Sequence, residues 1–239
     1  MVTDRPSPVI VALDLPSAED AIRLARAVAP HVGGFKVGLG LLHGPGPGTV
    51  AALAALGRPV FADAKLHDIP SQVEQAADRL ARVGARWVTA HVGGGEAMLC
   101  AAVEGLRRGA PGEAGVLGVS VLTSLDAAAL AAVGITATPG KLVSRMARVA
   151  ARAGCEGVVC SPQEIGVVRQ VAPEIAIVTP GIRFDEVDDD QRRTAGPAEA
   201  LERGATWLVV GRPITAADDP VEAAARLDEV IHGDPVDRR

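Results

Sequence analysis

Asp63, Lys65, His67 and Asp68 fall within six residues at the end of an apolar run, Pro59-Val60-Phe61-Ala62. Side chains alternate faces along a strand, so Asp63 and Lys65 point the same way, and Asp68 lies beyond the strand end, in the loop. Carboxylates on either side of a lysine keep its ammonium charged and fix its position. The same spacing also suits a solvated loop with a surface ion pair, which contributes little. Lysine usage separates the two readings. Of the 24 Lys plus Arg, only Lys36, Lys65 and Lys141 are lysine. A chain that uses arginine wherever it needs positive charge keeps lysine for what arginine does poorly, the giving and taking of a proton.

Strand-like and helix-like segments alternate around this stretch. Apolar runs at 8–13, 34–38, 59–62, 86–91, 115–122, 157–160, 175–178 and 206–210 read as parallel strands buried on both faces. Helices are predicted between them, with Ser17 as an N-cap, a helix over about 71–83, two pieces near 125–132 and 140–153, and a last one near 219–231. A Gly/Pro-rich loop is expected through Gly48. The polar strand ends at 14, 36, 63 and 91 recur 22 to 28 residues apart. Eight such units in 239 residues predict one (β/α)8 barrel, with frayed ends at 1–7 and 233–239. No GxGxxG fingerprint follows the first strand, which argues against a dinucleotide fold.

Composition narrows the function. The chain is 48% hydrophobic and 2% aromatic with no tyrosine, and its net charge is −5. A base-stacking nucleic-acid platform and a general binder of anionic membranes are therefore disfavoured. Cys100, Cys155 and Cys160 read as buried small hydrophobes of a reduced compartment. No signal core or long apolar span is present, so a cytoplasmic location is expected.

In a barrel of this kind the site forms where strands end. Asp14, Lys36, Asp63, Lys65, Asp68, His91, Thr123, Ser161, Arg183 and Arg212 are the polar residues there. Gly211-Arg212, after the eighth strand, is the expected phosphate site, and the polar segment 179–193, with Arg183 and Gln191, is placed to close over it. His67 and His91 with Asp63 offer a divalent-metal alternative, opposed by the positive charge of Lys36 and Lys65.

These residues carry a resemblance. Asp63-x-Lys65-x-x-Asp68-Ile69-Pro70, Thr179-Pro-Gly-Ile-Arg183 and Gly211-Arg-Pro-Ile-Thr215 together are similar to the orotidine 5′-phosphate decarboxylase family. Ala12-Leu-Asp14, Phe35-Lys-Val-Gly38, Leu122-Thr-Ser124 and Ser161-Pro162 extend the likeness along nearly the whole chain. The resemblance implies a homodimer of barrels that forms UMP and CO2 without cofactor or metal. It implies Lys65 as proton donor to C6, Asp63 beside the departing carboxylate, and Lys36 and Asp14 at the ribose. Thr123 would meet the pyrimidine, and Arg183, Gln191, Gly211 and Arg212 the phosphate. Asp68, Ile69 and Gln72 would reach a neighbouring subunit's site. The chain departs from the family at Gln72, where threonine is usual, and in a slightly shorter segment between Arg183 and Gln191. The competing expectations are a Mg-dependent sugar-phosphate decarboxylase or hexulose-phosphate synthase of the same superfamily, and a non-catalytic nucleotide-binding barrel.

Overall fold

The computed structural model describes residues 7–112, 114–183 and 195–232, so Gln191 and the predicted frayed ends, Ser7 apart, lie outside the described residues. Eight strands form: β1 (Val9–Ala12), β2 (Gly34–Val37), β3 (Val60–Leu66), β4 (Trp87–His91), β5 (Gly115–Val119), β6 (Gly157–Val159), β7 (Ala176–Thr179) and β8 (Trp207–Val210). Each pairs in parallel with the next, and β8 closes on β1. The predicted (β/α)8 barrel is the observed fold. Most strands are shorter than the apolar runs that predict them by a residue or more at their ends. β3 instead runs past its apolar stretch and carries Asp63 and Lys65 within the strand.

Alternation sorts the strand residues into two cores. Val9, Val11, Phe35, Val37, Val60, Ala62 and Val88 face outward under the helices. Ile10, Ala12, Phe61, Trp87, Leu117, Val178 and Val209 fill the barrel interior. This is how near-continuous apolar runs bury both faces at once. At the N-terminal end of the barrel Trp87 and Trp207 pack with ring centroids 4.6 Å apart and planes tilted by 53°. Glu156 accepts two 2.7 Å hydrogen bonds from Arg86 and one of 2.9 Å from Trp87 Nε1 there.

The outer helices follow local signals with two corrections. Ser17 caps the helix Ala18–Val28, its Oγ accepting from Asp20 N at 3.1 Å. The expected loop before Gly48 instead contains a short helix, Leu39–His43. Burial of Leu41 against the core overrides the Gly/Pro composition. The helix after β3 spans Pro70–Arg82 and starts on its proline, at the position where a missing N–H costs nothing. Its neighbour, Glu96–Gly109, packs unusually close. A Cβ at Gly105 would lie 2.2 Å from the Glu74 carbonyl oxygen, and one at Gly109 2.5 Å from that of Asp78. Cys155 and Cys160 are buried as expected, but Cys100 is exposed. It falls outside the helix stripe formed by Met98, Leu99, Ala102, Val103 and Leu106.

Candidate active site

Four charged side chains line up across the C-terminal mouth. Lys36, on β2, donates to both oxygens of Asp14, at 3.0 and 3.2 Å, just past the end of β1. The same ammonium lies 3.6 Å from Asp63 on β3, and Asp63 takes a 2.6 Å bond from Lys65. The row therefore runs Asp14, Lys36, Asp63, Lys65 with alternating sign. Its inner members are largely out of water: the Lys36 side chain is 10% exposed and that of Asp63 13%. Charges this buried persist because each has an opposite partner. Burial pushes the Asp63 carboxyl up, but the Lys36 and Lys65 ammoniums, with hydrogen bonds from Lys65 and Thr89, outweigh it and hold the group below the usual carboxylate range.

Two features that make room for this row escape a reading by residue type. Gly38, next inward-facing after Lys36, has no side chain to spare: a Cβ would stand 2.3 Å from Asp14 Oδ1 and 3.2 Å from Lys36 Nζ. The second is a bulge in β3. Ala62 and Leu66, four apart on β3, face Val88 and Ala90, only two apart on β4. Asp63, Ala64 and Lys65 thus stand opposite the single residue Thr89. Lys65 adopts φ +51°, the only described non-glycine residue with positive φ. Such a conformation costs on the order of 1 kcal/mol or more and requires support from its surroundings. Thr89 is fully buried. Its Oγ1 accepts from Lys65 N at 2.9 Å and donates to Asp63 Oδ1 at 2.8 Å. Sequence reasoning passed over Thr89; the available signal was one hydroxyl in an apolar strand, on the same face as His91.

A cavity of about 460 Å³ opens above the row. It is lined by Asp14, Lys36, Asp63 and Lys65 on one part of its wall and by Thr123, Arg183, Gly211 and Arg212 on another. Val119, Val121, Leu122, Val159 and Cys160 add an apolar stretch. Eight of the twelve predicted site residues are thereby brought together. Gly211 precedes the short helix Arg212–Thr215 and accepts from Ile214 N and Thr215 N at 2.9 Å. Arg183 is fixed at the backbone, where its N–H donates to Ala195 O at 3.1 Å.

Three predicted residues stand elsewhere. Asp68 is exposed and accepts from Ile69 N at 2.6 Å. Ile69 is 62% exposed, and Gln72 is exposed in the first turn of Pro70–Arg82. Among the described residues no ion pair joins Asp68 to Lys65, so within one chain the row ends at Lys65. Gln191 lies outside the described residues.

The two histidines of the metal alternative stand beside the row. The His67 and His91 rings lie 5.4 Å apart. Asp63, their expected third ligand, gives its oxygens to Lys36, Lys65 and Thr89 instead. Among the described residues no three His, Cys, Asp or Glu converge as a metal set. Burial, His67 and the Lys65 ammonium hold the His91 imidazole below its ordinary value, against the pull of Asp63. No described helix is long and apolar enough to cross a membrane.

Comparison with known proteins agrees with this geometry. The chain is 51% identical over 221 residues to an orotidine 5′-phosphate decarboxylase of Anaeromyxobacter sp. (strain K), covering 92% of this chain and 96% of that protein. It is 47% identical over 224 residues to one from Thermobifida fusca, covering 92% and 94%. The crystal structure of orotidine 5′-phosphate decarboxylase from Lactobacillus acidophilus superposes with a TM-score of 0.84 at 34% identity, covering 96% of this chain and all of that one. A family model matches residues 7–227, and on these grounds the chain belongs to the orotidine 5′-phosphate decarboxylase / HUMPS family.

Proposed function

We propose that this protein decarboxylates orotidine 5′-phosphate to UMP in pyrimidine biosynthesis, with Lys65 as the proton donor. The observation that carries the reading is the Lys65 ammonium, 2.6 Å from a largely buried Asp63, in a cavity whose wall also presents Arg183 and Arg212. Breaking the bond from C6 to the carboxylate leaves an electron pair on C6 with no ring or cofactor to receive it. A preorganised ammonium stabilises that developing charge and then gives C6 its proton, leaving a neutral amine that solvent recharges. Asp63 orients the ammonium and stands where a substrate carboxylate meets a like charge. Lys36 and Asp14 hold the ribose hydroxyls, and Thr123 the pyrimidine.

The phosphate belongs to Arg183, Gln191, Gly211 and Arg212. Arginine forks and backbone N–H groups suit a dianion. Its binding energy, remote from the reacting carbon, supports closure and desolvation of the site. Asp68, Ile69 and Gln72 complete a second subunit's cavity in a homodimer. The exposure of all three, with Ile69 an apolar side chain left in water, supports that placement. Three free thiols support a cytoplasmic location.

The deciding experiment follows the ultraviolet absorbance of orotidine 5′-phosphate with the purified protein, with and without EDTA. Conversion to the UMP spectrum at the same rate in both is the expected result. An intact substrate, with UMP still bound by calorimetry, would point to a nucleotide-binding barrel. Turnover of a sugar phosphate that EDTA abolishes would instead establish the metal-dependent reading.

A further inference from the structure

We infer that Thr89 is a positioning residue for this reaction, its single hydroxyl setting the place of the Lys65 ammonium by binding the lysine backbone and the Asp63 carboxylate at once. The inference rests on the decarboxylase reading above and adds a residue from a different strand to it. Its origin is the bulge. In a regular parallel ladder a backbone N–H on β3 would find a carbonyl on β4. Three β3 residues stand against one on β4, so the ladder cannot serve all of them. The Thr89 side chain takes the place of the missing carbonyl, accepting from Lys65 N at 2.9 Å.

A hydroxyl has one proton to give and two lone pairs to receive with. Once a lone pair of Thr89 holds the Lys65 N–H, its proton goes to Asp63 Oδ1 at 2.8 Å, the same oxygen that holds the Lys65 ammonium at 2.6 Å. The lysine is thus fixed at both ends through one side chain, by its main chain directly and by its ammonium through Asp63. Lys65 needs that support, because φ +51° is an unfavourable conformation for a residue with a Cβ. Thr89 is fully buried, so its two bonds are not shared with solvent. No carbonyl or carboxylate could replace it, since neither both accepts from the amide and donates to the aspartate.

The test compares Thr89→Val, which keeps shape and removes both bonds, with Thr89→Ser, which keeps the hydroxyl. For orotidine 5′-phosphate, kcat of the valine variant should fall about 10- to 100-fold, as expected for a misplaced reacting group. KM and UMP affinity should change less than about 3-fold, because the phosphate contacts lie on other strands. The serine variant should recover kcat to within about 3-fold of the parent. The inference is overturned if the valine variant keeps its kcat, or if serine is as slow as valine. It is also overturned if the loss appears in KM and melting temperature alone. Should the valine variant not fold, Thr89→Cys, a weak donor and acceptor of similar size, carries the same expectation and the same contrary outcome. Failure of the parent protein itself to convert the substrate would strike at the decarboxylase reading instead, so the two failures are distinguishable.

Discussion

The two ends of the barrel each hold a carboxylate against a cation, and they hold it differently. At the closed end Glu156 receives both prongs of the Arg86 guanidinium and the Trp87 indole N–H, and Arg86 also lies 4.8 Å from the centre of the Trp87 ring. At the open end Asp63 lies between two lysines, and the strand that carries it is bulged, with Lys65 at positive φ. Arginine forms a fixed planar fork and does not release its proton, which suits a joint that only has to hold. Lysine is a point charge on a flexible stem and exchanges its proton. The molecule places arginine where it needs rigidity and lysine, with the backbone distortion, where it needs chemistry. The chain has 21 arginines and three lysines, and two of those lysines stand in this row.

Exchanging the two kinds of cation should break the contrast most sharply. Lys65→Ala and Lys65→Arg should each lower kcat by more than about 10³-fold while UMP binding by calorimetry persists. An arginine variant with near-parental turnover would remove the proton-donor role. Arg212→Ala comes next: KM should rise about 10- to 100-fold, from the loss of a charged fork of about 1.5–3 kcal/mol, with a smaller change in kcat. An unchanged KM would move the phosphate elsewhere. At the closed end Glu156→Gln should leave kcat and KM alone and lower the melting temperature by a few degrees. Both partners are about one-third exposed, so the loss is discounted to about 1 kcal/mol. A catalytic defect there would erase the distinction between the two ends.

The smallest effect concerns pH. His91 titrates below its ordinary value of 6.5, so the unfolded chain binds the extra proton first as pH falls. Its contribution to stability is complete above about 6.5 and is lost as pH drops from there toward the lower folded value. Nuclear magnetic resonance titration should show the His91 ring taking up its proton at a lower pH than an ordinary histidine, and His91→Asn should flatten the slope of stability against pH below about 6.5. A His91 midpoint at or above 6.5 would contradict the burial and the adjoining Lys65 charge as its causes.

Much of this was legible in the chain. Apolar runs separated by amphipathic stretches, with a polar residue at each run's end, were enough for the barrel and for eight of the residues lining its cavity. Asp63 and Lys65 do meet, as strand alternation suggested, but across a bulge in which Lys65 leaves the extended conformation. The buried cysteines followed from their segments, but Cys100 did not, because its helix buries a different stripe. Composition around Gly44 and Pro45 held for the turn at 44–47, but the loop reading reached too far back, since Leu39–His43 becomes helical when Leu41 has a core to enter. Asp68 lies past the strand end as expected, and within one chain its carboxylate binds the adjacent N–H at the rim.

What the sequence by itself determined was the order of elements and the chemistry at their ends, because both depend on periodicity and residue type within a few positions. What only the tertiary structure decided was register. The bulge in β3 exists relative to β4, Thr89 matters because three residues face it, and Gly38 matters because an ion pair occupies the space its side chain would fill. Each depends on groups brought together from different strands, and a local pattern does not contain that distance.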